Sequence, residues 1–236
     1  MNPKKVFIET GKKKTFCGAI EWPGWCRSGR DEETALGALV EHGLRYAHVL
    51  QLKDIEFQVP LDASDLIVAE RVTGNATTDF GAPAAILEAD QERMDTSEFE
   101  RLQSILQACW IAFDDAVKWA TDKELRKGPR GGGRDLNKIM DHVLDAERSY
   151  ITRLGRKFKR EPIMGLSEAN IQIRQAILGA LEAAQNGELP ERGPRGGIIW
   201  PPHYFIRRAA WHVLDHAWEI EDRGLTQSPE DVENQD

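Results

Sequence analysis

The stretch WPPHYFIRRAAWHVLDHAWEIEDR, Trp200 to Arg223, has the marks of one continuous helix. Pro201 and Pro202 suit a helix entry, where a missing N–H removes no intrahelical bond. Gly224 suits its exit. Phe205, Ala209, Val213 and Ile220 recur at helical spacing and form an apolar stripe. His212 and His216 stand in that stripe four residues apart, so one helical turn brings both imidazoles to the same face. A buried imidazole needs a partner for each ring nitrogen. Two such rings beside Phe205 and Ile220 can share one divalent ion; otherwise each is a hydrogen-bonded core or edge residue.

Upstream, long helical periods begin at Asp95. Ser97-Glu-Phe-Glu has the form of a capping box. Behind it, Phe99, Leu102, Leu106, Cys109, Phe113, Val117 and Ala120 repeat at intervals of three and four, to about Thr121. Cys109 in this stripe reads as a buried structural thiol. A second helix is expected over about Arg134–Leu154, with Ile139, Met140, Val143, Tyr150, Ile151 and Leu154 on its apolar side. A third opens at Ser167 and carries Ile171, Ile173, Ile177, Leu178, Leu181 and Ala184. With Trp200–Arg223 as the fourth, residues 95–223 predict an all-α four-helix bundle.

Two words occur twice in this region. Gly-Pro-Arg-Gly-Gly begins at Gly128 and again at Gly193, and His-Val-Leu-Asp begins at His142 and again at His212. The repetition suggests one structural solution used twice, with a pseudo-twofold character. It also supplies a third candidate ligand: His142 on the second helix, with His212 and His216 on the fourth. Three imidazoles from two helices would leave positions open for water or substrate, as catalytic rather than structural sites do. Asp145 and Asp215 follow their histidines by three residues, about one turn on. Each is a candidate for catalysis, as an acceptor for an imidazole N–H or as a carboxylate at the site; a solvated helix position is the alternative. The Gly-rich words lack the features of a phosphate loop. They serve as mobile chain reversals, or place Arg130 and Arg195 at the mouth of a site for an acidic ligand.

The first ninety residues have a different grain. Lys5–Thr10 and Thr15–Trp22 are β-prone runs separated by Gly11-Lys-Lys-Lys. A helix is predicted from Asp31 to about Leu52, with Ala35, Leu36, Leu39, Val40, Leu44 and Ala47 on one face. Asp54–Val59 and Leu66–Arg71 read as further strands, and Thr73–Ala84, rich in Gly, Thr and Asn, as loop. The expected organisation is therefore a small α+β domain over 1–92, the bundle over 95–223, and a mobile acidic tail over 224–236.

That tail holds Glu230, Asp231, Glu233 and Asp236 and no basic residue, so it carries half of the formal charge of −8. The remainder is only mildly acidic and offers no strongly basic footprint for nucleic acid. No run of about 18 apolar residues suggests a membrane span, and the N-terminus lacks the apolar core of a signal peptide. Cys17, Cys26 and Cys109, widely spaced and odd in number, suit a reducing cytoplasm.

Two resemblances bear on function. Residues 16–36, from Phe16-Cys-Gly-Ala-Ile-Glu-Trp-Pro-Gly-Trp through Ala35-Leu36, resemble the HicB antitoxin fold within a span of about 4–55. That would imply a protein-binding or oligomerising module, and a homodimer is compatible with it. Asp141-His-Val-Leu-Asp-Ala-Glu-Arg-Ser-Tyr and Trp211-His-Val-Leu-Asp-His resemble the DinB-like superfamily of four-helix bundles, which includes thiol-dependent S-transferases and maleylpyruvate isomerase-like proteins. This resemblance implies up-down-down-up connectivity and a metal triad on His142, His212 and His216. It also implies transfer of a low-molecular-weight thiol to an electrophilic small-molecule substrate. Hydrolysis at the same site is the other chemistry such a site supports. Zinc or nickel suits three imidazoles, and iron or manganese is also accommodated. A non-catalytic binding or regulatory protein with an antitoxin-like interaction module is the expectation from a different functional class.

Overall fold

The computed structural model describes residues 3–127, 133–159, 161 and 165–224. Strands β1 (Lys4–Thr10) and β2 (Thr15–Ala19) form an antiparallel hairpin in which Ile8 faces Cys17. Gly11 N–H closes the turn on the Lys14 carbonyl at 2.8 Å. β3 (Cys26–Gly29) pairs antiparallel with β2, and β4 (Leu66–Thr73) pairs parallel with β1, so the sheet order is β3-β2-β1-β4. Helices α1 (Glu32–Glu41) and α2 (Gly43–Gln51) lie between β3 and β4, and α3 (Ala76–Phe80) follows β4. The four longest helices come next: α4 (Thr96–Ala120), α5 (Leu136–Ile151), α6 (Leu166–Gln185) and α7 (Pro202–Gly224).

Several local expectations change for physical reasons. The single helix predicted over 31–52 is two, broken at His42, whose ring Nδ1 lies 2.9 Å from the Ala38 carbonyl. Asp54–Val59 forms no strand. Phe57 there packs edge-on against Trp22, Trp25 and Tyr46, so an aromatic anchor holds this segment. The segment expected as loop contains α3, capped by the Asn75 side chain and closed by Gly81 at φ +110°. Asp95 rather than Ser97 caps α4, accepting from Glu98 N–H at 2.9 Å.

Strand alternation gives the sheet two different faces. Val6, Ile8, Cys17 and Ala19 join Ala35 and Leu39 of α1 in a core that continues without interruption through α4, α5, α6 and α7. Phe7, Phe16 and Cys26 pack on the other side with Leu87 and with Trp211 of α7. Phe16 meets Trp211 edge to face at 6.0 Å. The Pro23-Gly24 turn is pressed into the helices. Gly24 has φ +94°, and a Cβ there would lie 3.0 Å from Cys109 Sγ and 3.3 Å from Leu214, so no larger residue fits without displacement.

The expected fold class is corrected by this arrangement. An α+β domain followed by a clean four-helix bundle does not describe a chain with seven α-helices among its described residues. α2 packs on α4, and α7 is covered by α4, by α5 and by one face of the sheet. An apolar stripe shows that a helix face is buried, but not how many elements bury it. The buried residues of α7 run from Tyr204 to Ile220 around most of its circumference, which one bundle interior would not require. The acidic tail lies outside the described residues from residue 225 onward. Among the described residues no helix is long and apolar enough to cross a membrane.

Candidate metal centre

α7 places His212 and His216 one turn apart and buries both, each 8% exposed. α5 packs beside it and presents half-buried His142. One ring nitrogen of each histidine lies within 4.8 Å of the other two. Ring centroids are 5.1 Å apart for His142 and His212, 4.9 Å for His142 and His216, and 4.8 Å for His212 and His216. His212 Nε2 and His142 Nε2 are 3.2 Å apart. At that separation two N–H groups would collide, so at least one nitrogen presents its lone pair to the other. Three convergent imidazoles are close enough to bind one metal ion.

The third imidazole is oriented from behind. His216 Nδ1–H donates to Glu219 Oε2 at 2.8 Å, the direction set by a carboxylate that only accepts. That bond selects the tautomer whose Nε2 keeps its lone pair. Carboxylate-oriented histidine is a recurrent support for metal ligation. Arg223 Nη1 holds the other oxygen of Glu219 at 2.7 Å, and its Nε donates to the Arg126 carbonyl at 2.9 Å. The His216 hydrogen bond, with Arg223 acting in the same direction, keeps the Glu219 carboxyl below its ordinary range. Burial holds His212 well below the ordinary histidine range, and the neighbouring His216 and Arg208 act in the same direction. Burial leads again for His142, followed by His216 and Arg134. Neutral imidazoles are the form a cation requires.

These rings open into a cavity of about 560 Å³ whose lining includes His142, Tyr150, Arg208, Trp211, His212 and His216. Its opposite wall comes from the N-terminal part of the chain: Ala76, Thr77 and Phe80 of α3, with Gly81 and Ala82. That wall is fastened on both sides. Buried Glu9 of β1 accepts from the Thr78 hydroxyl and from the N–H groups of Ala84 and Ala85, the last at 3.0 Å. From α7, Tyr204 Oη donates to the Ala84 carbonyl at 3.2 Å, Arg207 Nη2 to that of Ala85 at 3.1 Å, and Arg208 Nη1 to that of Pro83 at 3.1 Å. Arg207 also forms a buried ion pair with Asp90.

The other candidate residues fall in different places. Asp215 lines the cavity, but its carboxylate is held by Arg27 Nη1 at 3.0 Å. Asp145 is exposed and bonds Arg148 at 2.9 Å, away from the cavity lining. Arg130 lies outside the described residues. Arg195 belongs to a 3-10 turn, Pro194–Gly196, and its side chain lies outside what is described. Glu219 is not among the sequence-predicted site residues, although it follows His216 by three residues, the spacing that marks Asp145 and Asp215. Arg134, Arg208, Tyr150 and the α3 wall left no comparable signal, because long-range packing brings them to the histidines.

Comparison with known protein families, curated proteins and solved structures finds no match to this chain.

Proposed function

We propose that the protein is a metal-dependent enzyme whose three-histidine site transfers a low-molecular-weight thiol to an electrophile, or hydrolyses a related substrate. The observation that carries this reading is the convergence of His142, His212 and His216 within 4.8 Å at the floor of a cavity with room for a small molecule. The donor set fits a divalent ion: three imidazoles, two held neutral by burial and one oriented by Glu219. Such an ion, zinc or nickel before iron or manganese, would act as a Lewis acid that favours the ionised form of a thiol or water. The resemblance to DinB-like S-transferases supports the thiol among these possibilities.

The protein's own groups have definite parts in this scheme. His142, His212 and His216 would hold the ion from one side. Glu219 fixes the His216 tautomer, and Arg223 fixes Glu219. Trp211 and Tyr150 line the cavity beside the histidines. Asp215 is the carboxylate on the cavity lining and the candidate for proton transfer, once released from Arg27.

Elemental analysis of the reconstituted protein should find about one divalent ion per chain. His212→Ala and His142→Ala should each lose it while keeping wild-type circular dichroism. Full metal content in either variant would remove that histidine from the ligand set. Thiol-transfer assays with model electrophiles, run with and without metal, then decide between an enzyme and a metal-binding scaffold.

A further inference from the structure

Arg208 and Arg134 are cations at the same cavity without a described acid to neutralise them. Arg208 is half-buried, its guanidinium 4.8 Å from the centre of the Trp211 ring and 5.6 Å from that of Tyr150. Its Nη1 is committed to the Pro83 carbonyl. Among the described residues no carboxylate is ion-paired with Arg208 or Arg134. The acids nearest the histidines are already engaged, Asp215 with Arg27 and Glu219 with Arg223. A partly desolvated cation is costly unless it gains a counter-ion, and guanidinium matches an oxyanion through paired N–H donors. A divalent ion on three neutral imidazoles would add to the same positive field.

The walls give the rest of the ligand. Thr77, Tyr150 and Arg208 also line a neighbouring cavity of about 330 Å³, which Trp200 and Tyr204 wall. Phe80 stands at the rim of the first cavity, 96% exposed. Two aromatic rings beside a guanidinium suit an apolar or aryl body attached to the anion.

We propose that the substrate carries an oxyanion, a carboxylate or phosphoryl group, on an apolar body, with Arg208 as the principal anion-binding residue and Arg134 assisting from the rim. This rests on the reading of the histidine site as the reaction centre. The structural basis for the specificity is Arg208, fixed between Trp211 and Pro83 on one side of the histidines.

The test uses the full chain and named probes: benzoate, phenyl phosphate, acetate and neutral benzamide, titrated by NMR into zinc-loaded and zinc-free protein. Benzoate or phenyl phosphate should bind more tightly than acetate, and benzamide more weakly than benzoate. Which of the two oxyanions binds more tightly distinguishes carboxylate from phosphoryl recognition. Arg208→Gln should weaken the preferred oxyanion about tenfold or more, the usual scale for losing a charge-assisted hydrogen bond. Arg208→Lys should fall between, and Arg134→Gln should weaken binding severalfold. Zinc content should be unchanged in all three. Benzamide binding as tightly as benzoate, equal affinity in Arg208→Gln, or no saturable binding of either oxyanion by the wild type overturns the proposal. If zinc fails to bind at all, the metal reading falls separately. The zinc-free titrations then judge the anion site by the same Arg208 dependence.

Discussion

Glu147 is 1% exposed on α5, one turn from Tyr150 and away from the histidine cavity. Its Oε1 accepts from Trp110 Nε1 at 2.6 Å, while Oε2 has no hydrogen-bond partner among the described residues. Burial raises this carboxyl to about 7, against the opposing pull of Arg174. The unfolded chain would titrate it near the ordinary glutamate value, so between about pH 4.5 and 7 the folded state binds the extra proton. Stability from this group is therefore present at low pH and lost as pH rises through that window. The loss between pH 5 and 8 should be roughly 3 kcal/mol. Glu147→Gln keeps an acceptor for Trp110 and removes the titration. Urea denaturation at pH 5 and 8 should show the difference between wild type and variant changing by that amount. Parallel pH profiles would mean that the carboxyl ionises as if exposed. The comparison cancels the opposite contribution of His212, whose lowered pKa weakens the folded state as pH falls below the ordinary histidine range. Glu219 makes a separate residue-scale case. Glu219→Gln removes the charge that orients His216 and should weaken metal affinity about ten- to a hundredfold with all three imidazoles in place. A chelator competition titration reads this directly, and unchanged affinity would deny Glu219 a part in ligation.

At the scale of elements, α7 holds the molecule together. It carries two of the three histidines, packs Trp211 against the sheet, and uses Tyr204, Arg207 and Arg208 to fasten the segment that walls the cavity. Arg207 is 5% exposed and its partner Asp90 3%. Removing one member of such a pair strands the other charge, so Asp90→Ala should cost about 3–5 kcal/mol. The double variant Asp90→Ala, Arg207→Met should recover part of that loss, measured by the urea midpoint. No recovery would place the cost in packing rather than in the stranded cation. The importance of α7 was legible from Trp200–Arg223 because Pro202, the apolar period and the HxxxH spacing are all local signals. His142 was legible through the repeated tetrapeptide. The rest depends on tertiary partners. β3 has only four residues after a Pro-Gly turn, α3 is a single turn made by Asn75 and Gly81, and the break at His42 interrupts an otherwise continuous apolar period. None of these leaves a periodic pattern long enough to separate it from loop or helix. The same limit explains the bundle expectation, since four amphipathic stripes look alike whether they face only one another or also a sheet.

On the scale of the whole molecule, the histidine cavity belongs to both parts of the chain. Its floor is α5 and α7, and its wall is the α3 segment, itself anchored to β1 through Glu9. The principal core likewise runs from Val6 and Cys17 through Ile220 without a gap. Elements that share a core unfold together, so calorimetry should show one transition, with the van't Hoff and calorimetric enthalpies in agreement. A chain shortened to residues 95–236 would lose Phe16 from Trp211 and Gly24 from Leu214, leaving apolar surface of α4 and α7 in water. That fragment should aggregate or bind a hydrophobic dye and lack a cooperative transition. If it instead melts cooperatively and retains one metal per chain, the helices are self-sufficient and the N-terminal unit only covers the site. Retained metal with altered ligand affinity would show that residues 1–94 shape what the cavity admits without being needed to hold the ion. In the full chain, the sheet face on Trp211 should govern cooperativity, and the Ala76–Ala82 wall should govern what the cavity admits.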